Sequence, residues 1–188
     1  MIDPLQPGQP NAQPHPHAGH QASLAWLRDV LASVAVSVFI ILFLYQPVRV
    51  EGTSMVPMLQ DQDRLFINKL AYRVGEVHHS DVVVFHYPRD LTKSYIKRVI
   101  ALPGDRIRID HGKVFVNDVR LSEPYVPARY TDERSQPEMT VPDGEFFVMG
   151  DHRSISSDSR DFGPVDRNLI YGKASFVYWP FDQAGVVH

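Results

Sequence analysis

From Val30 to Tyr45 the chain runs for 16 residues that are all apolar except Ser33 and Ser37. As a helix this run is about 24 Å long at 1.5 Å per residue, short of the roughly 30 Å hydrocarbon core of a bilayer. Leu24 to Leu27 and Val48 extend it to spanning length, with Arg28 and Asp29 near one interface. Trp26 and Tyr45 fall where an aromatic belt lies, and Pro47 is expected to stop the helix. A buried core helix is the alternative. A cleaved targeting segment fits less well, because no small-x-small site follows the run. The expectation is one uncleaved transmembrane anchor over residues 24–47. Charge leaves its orientation open: Arg28 precedes the run and Arg49 and Arg64 follow it, and large domains translocate largely regardless of charge.

Residues 1–22, MIDPLQPGQPNAQPHPHAGHQA, are rich in Pro, Gln, Gly and His with no apolar periodicity. They read as a disordered tail, and His15, His17 and His20 belong to its solvated composition. The remainder of the 188 residues suffices for one substantial domain. Net charge is −3, from 19 basic and 22 acidic residues, so the basic excess and clustering that a phosphate backbone demands are missing. The chain has no cysteine, which excludes disulfides, thiolate metal sites and a cysteine nucleophile.

After Val48 the pattern turns strand-like. DVVVFHY (81–87) is a β-branched run ended by Pro88, and RIRIDHGKVFVND (106–118) alternates on both sides of Asp-His-Gly, a hairpin signal. EFFVMG (145–150) and KASFVYW (173–179) read as further strands, and RYTDERSQPE (129–138) as a solvated loop. FVYWPF (176–181) reads equally as a buried strand or as a membrane-resting segment. The fold class is therefore mostly β, an antiparallel domain over residues 48–188 behind a single helical anchor.

Hydrolytic chemistry needs a nucleophile, a base, an orienting group and donors for an oxyanion. His78 and His79 are adjacent and point apart in a strand, His86, His111 and His152 lack partners at ligand spacing, and no H-E-x-x-H occurs; no metal or other cofactor is expected. Asp151, His152 and several serines are present, but nothing in their spacing favours a triad, and His152 reads as structural. Ser with Lys remains. Lys97, in SYIKRVIALPGD, either points to solvent or lies among apolar groups, where burial lowers its pKa and makes it a base. Neutrality at pH 7 takes about 3 units, roughly 4 kcal/mol. The segment GDHRSISSDSRDFGPV (150–165) reads as a polar loop, or as a cluster that orients a buried amine through a hydroxyl and an Asp–Arg pair.

In order, the anchor, VEGTSMVPML, DRLFINKLAY, DVVVFHYP, SYIKRVIALPGD and EFFVMGDHRSISSDSRDFGPV resemble the bacterial type I signal peptidases, the leader peptidase family, over residues 24–179. The resemblance implies a signal-peptidase/LexA-like fold and a Ser-Lys dyad with no cofactor. In it Ser54 matches the nucleophile, Lys97 the general base, and Ser156 the hydroxyl that positions the amine, while Asp158 and Arg160 match a supporting ion pair. The Ser54 N–H would donate to the oxyanion. Some relatives add a side-chain hydroxyl two residues before the nucleophile; here that position is Gly52, which leaves a water or Thr53 as candidates for the second donor. His152 stands where Asn is more usual. Substrate-pocket positions map to Val48, Val50, Met55, Leu59, Leu65, Val84 and Ile96, with Val82–Phe85 expected to pair with extended substrate. The implied substrates are signal peptides of exported preproteins, cut after a small-x-small motif. The implied setting is the bacterial plasma membrane: tail 1–22 in the cytoplasm, lipid around the anchor, residues 48–188 outside, and no nucleic-acid partner. The rivals are a self-cleaving LexA-like repressor, which needs an N-terminal DNA-binding domain, and a membrane-tethered β binding module with no catalytic role for Ser54 and Lys97.

Overall fold

The computed structural model describes the backbone of residues 18–188 and the side chains of residues 25–40 and 44–188. It divides into an N-terminal unit ending at Ile40 and a unit Ile41–His188. Helix α1, Ala18–Leu44, begins inside the stretch expected to be disordered, so residues 18–22 are helical, and the rest of that tail lies outside the described residues. Trp26, Leu27, Leu31, Val34, Val36 and Phe39 on α1 are exposed. Among the described residues no helix is long and apolar enough to cross a membrane.

The helix also ends earlier than Pro47. Strand β1, Tyr45–Arg49, contains that proline and pairs with β2, Arg64–Asn68. β1 is the terminal strand of its sheet. A proline has no N–H for a ladder, so an edge strand accommodates it, and it disfavours helical backbone at Gln46 before it.

A short helix α2, Ala71–Val74, precedes the hairpin of β3, Val82–Tyr87, and β4, Asp90–Ala101. Then come β5, Arg106–Asp110; β6, Lys113–Val116; β7, Val119–Arg120; β8, Gln136–Thr140; and β9, Glu145–Met149. A one-turn α3, Ser159–Phe162, leads to β10, Val165–Asp166; β11, Ile170–Trp179; and β12, Gly185–Val186. One sheet runs β1-β2-β11-β3-β4-β9-β10 with β12 beside β11, and a smaller one runs β7-β6-β5-β8. Each pairing is antiparallel.

The unbroken run Val82-Val83-Val84-Phe85 is explained by burial on both faces of β3. Val82 and Val84 pack with Met55, Leu59, Leu65 and Ile67, while Val83 and Phe85 pack with Val99, Val148 and Ile170. A strand covered on both sides has no reason to alternate. Because β3 lies between β11 and β4, Val82–Phe85 offers no free edge, contrary to the pairing expected there. Phe176, Trp179 and Phe181 are exposed, so the C-terminal aromatic run is not wholly buried.

The Asp-His-Gly hairpin forms as expected, with Asp110 opposite Lys113 and His111 and Gly112 at φ of 46° and 73°. Both central residues of such a two-residue turn need positive φ. A Cβ on Gly112 would lie 1.9 Å from Asp132 O. Gly112→Ala is therefore expected to cost about 2–3 kcal/mol from left-handed strain and overlap, read as a lower urea midpoint.

Candidate active site

Ser54 sits in a loop between β1 and β2 that is fastened on both sides. The Val50 N–H donates to Asp63 O at 2.8 Å and the Gln62 N–H to Val50 O at 3.0 Å. Gly52 takes φ of +95°, and its N–H donates to Asp61 Oδ1 at 2.8 Å. That bond, with help from Gln62, holds the Asp61 carboxyl below its ordinary pKa. Beyond Ser54 the Val56 N–H reaches back to Thr53 O at 3.2 Å and the Leu59 N–H to Met55 O at 3.0 Å. Buried Met55 and Leu59 anchor this turn in the core and leave Ser54 at its surface.

β4 carries Lys97 to the same place. Its side chain is 4% exposed, and Nζ lies 2.7 Å from Ser54 Oγ and 3.1 Å from Ile96 O, with the Tyr95 ring centroid 5.1 Å away. Burial is the main influence on this amine. It pushes the pKa from 10.5 down to about 8, against the pull of the Asp158 and Asp151 charges and with a smaller push from Arg160. At pH 7 roughly a tenth of such amines are neutral, and a neutral amine at 2.7 Å is within reach to take a hydroxyl proton.

The loop after β9 supplies the surroundings. Asp158 receives Arg160 in a fork, Nε to Oδ1 and Nη2 to Oδ2, both at 2.8 Å, and the Gly150 N–H at 3.0 Å. Burial disfavours the Asp158 carboxylate, yet the Arg160 bond and charge, the Gly150 N–H and the nearby Ser156 hydroxyl outweigh it and hold its pKa below the ordinary value. Arg160 also donates to Asp132 at 2.6 Å and to Arg153 O at 2.9 Å. Arg134 bonds Ser156 O at 3.1 Å and Asp161 at 2.8 Å. Residues 129–138 are thus not the freely solvated loop that the sequence implied. Part of the segment is strand β8, and its charges brace the loop around Asp158. Isolated from its neighbours, a charge run gives no sign of which partners it will meet.

Ser156 is buried, but among the described residues its Oγ makes no aligned hydrogen bond, so the bond to Lys97 that the resemblance implied is not formed. A Cβ on Gly150 would stand 2.3 Å from Ser156 Oγ and 2.5 Å from Ser54 O. Glycine is what lets these two chain segments approach.

A cleft of about 710 Å³ opens at Ser54 and Lys97. Of the expected pocket residues, Val48, Val50, Met55, Val84 and Ile96 line it, joined by Ile67, Tyr95 and Tyr171, which sequence reasoning missed. Leu59 and Leu65 do not reach it. Both are 0% exposed in the core behind. Arg98 was also missed. Its guanidinium, fully buried, forks onto Asp151 at 2.9 and 2.7 Å and donates to Ser80 O and His188 O. An arginine directly after a candidate base in an apolar strand was the available signal.

A profile of the family described as signal peptidase, peptidase S26, matches residues 23–179. The signal peptidase I of Bacillus caldolyticus is 42% identical over 154 residues, 76% of this chain and 84% of that one. That of Bacillus licheniformis is 34% identical over 171 residues, 84% and 89% of the two chains. Signal peptidase IB of Staphylococcus aureus is 31% identical over 176 residues, 85% and 91%. A buried lysine against a loop serine, in a chain matched over most of its length, leads to one assignment: the chain belongs to the signal peptidase family, peptidase S26, and is a serine peptidase.

Proposed function

We propose that this protein is a membrane-anchored endopeptidase that removes signal peptides from exported preproteins, with Ser54 as nucleophile and Lys97 as general base. The observation that carries the reading is the 2.7 Å approach of Lys97 Nζ to Ser54 Oγ by an amine whose burial brings its pKa to about 8. Neutral Lys97 takes the Ser54 proton as Oγ attacks the scissile carbonyl, then returns it to the leaving amine. In deacylation it activates water in the same way. The Ser54 N–H, which donates to none of the described residues, serves the oxyanion. Asp158 with Arg160, and Ser156 beside them, keep the loop around the amine in place.

Preference for a small-x-small motif follows from the walls. Val48, Val50, Met55, Val84 and Ile96 leave apolar room beside Ser54 that admits Ala-sized side chains. On the far side of β4 from β3, residues 92–97 pair with no other strand among the described residues up to Arg98, where β9 begins to pair. Thr92 to Lys97 and Val48 to Thr53 face the cleft together, so an extended substrate can add itself as a strand there.

Anchoring rests on the 16-residue apolar run and the exposed apolar side chains of α1, with the catalytic unit outside the bacterial plasma membrane. Purified wild type is expected to cut a preprotein after Ala-x-Ala, and Ser54→Ala to lose at least about 10³-fold in rate. Retention of rate by Ser54→Ala would sink the nucleophile assignment. In sealed vesicles, protection of the C-terminal unit from added protease on only one face reports the topology.

A further inference from the structure

His152 lies in the turn after β9, facing the Ser54 loop, and two bonds fasten it there. Its backbone N–H donates to Ser54 O at 3.0 Å, and ring Nδ1 lies 3.3 Å from Thr53 O. A carbonyl only accepts, so Nδ1 carries the hydrogen in this contact. The Tyr130 ring flanks the imidazole, centroids 4.3 Å apart. Tyr130 is itself held, its carbonyl accepting from the Ser154 N–H at 3.2 Å.

The Thr53 carbonyl and the Ser54 N–H belong to one planar trans peptide and point in opposite directions. That carbonyl accepts from the Val56 N–H at 3.2 Å as well as from His152, and the two grips together aim that N–H. Gripping it also polarises the peptide and strengthens the N–H as a donor. Gly52 brings no side-chain hydroxyl to the site, which leaves more of the oxyanion to the Ser54 N–H.

We propose that His152 is a positioning residue: by donating from Nδ1 to Thr53 O it fixes the peptide plane that presents the Ser54 N–H to the oxyanion. The proposal rests on the reading of Ser54 as nucleophile. Asn places its side-chain nitrogen at the same distance along the side chain as His Nδ1, so it can make the same donation, whereas Phe keeps a ring against Tyr130 and donates nothing.

The test compares kcat and KM for preprotein cleavage by the full chain carrying His152→Ala, His152→Phe or His152→Asn, with Ser54→Ala alongside. Removing an oxyanion donor outright costs about 10²–10³-fold; loosening one is expected to cost kcat roughly tenfold in the Ala and Phe variants, with KM within about twofold. The Asn variant is expected to stay within about threefold of wild type. Amide hydrogen exchange over residues 50–56 supplies a readout apart from activity, expected to quicken in the Ala and Phe variants and not in Asn. A Phe variant as active as wild type, an Asn variant no better than Ala, a loss confined to KM, or unaltered exchange overturns the proposal. If Ser54→Ala keeps its rate, the nucleophile reading itself fails. If Ser54→Ala is inactive and His152→Ala cleaves as fast as wild type, only the His152 proposal falls.

Discussion

Replacing Lys97 with Met is expected to abolish cleavage and to make the protein more stable at neutral pH. The rate should fall at least about 10³-fold, as for loss of a nucleophile's base. The stability gain follows from the amine's shifted pKa. Folding lowers it from 10.5 to about 8, so between those values the unfolded chain binds more protons and stability rises with pH. Below about pH 8 the full penalty is present: about 2.5 units at about 1.4 kcal/mol each, or roughly 3 kcal/mol. At 4% exposure little of this is screened. Met has a similar stem and no charge, and it gives up the bonds to Ser54 and Ile96, so a net gain of about 2 kcal/mol at pH 7 is expected. Urea midpoints of wild type and variant should converge as pH approaches about 10.5. A variant less stable than wild type at pH 7 would mean that the amine is not desolvated.

The second large effect concerns Arg98 and Asp151. Their side chains are 1% and 0% exposed, and the guanidinium also lies 4.2 Å from the Tyr125 ring centroid. Asp151→Leu alone, with Arg98 kept, leaves a buried cation without its counter-charge and is expected to cost about 3–5 kcal/mol. Arg98→Met with Asp151→Leu removes both charges from an already dry site and should recover most of that loss. Thermal unfolding of the four proteins in this cycle measures the coupling. Additive losses would show that the two charges are not coupled and would contradict this prediction.

Much of the catalytic unit was legible in the sequence because its signals are local. The β-branched run of β3, the Asp-His-Gly turn and the alternation around it dictate backbone conformation over a few residues. Pro47 marked the end of α1 to within three residues, but not that it would lie in a strand: on an edge a proline is tolerated, and nothing nearby in sequence says that β1 is an edge. Ser54 and Lys97 lie 43 positions apart. Neither residue's own surroundings show that the two meet at 2.7 Å; only the order of the motifs suggested pairing them. Leu59 and Leu65 show the opposite limit, since a pocket wall and the packing behind it use the same residue types. The contacts of His152, Arg134 and Asp132 were illegible for another reason. Each bonds a segment distant in sequence, so a polar residue in a turn carries no mark of its partner.

In the proposed mechanism Lys97 works as a buried neutral amine. The pH dependence of kcat/KM for preprotein cleavage, which reports the free enzyme's groups, tests it most directly. The rate is expected to rise with pH through an apparent pKa near the value of about 8 set by burial. A rise that appears only near the ordinary lysine value of about 10.4 would contradict it.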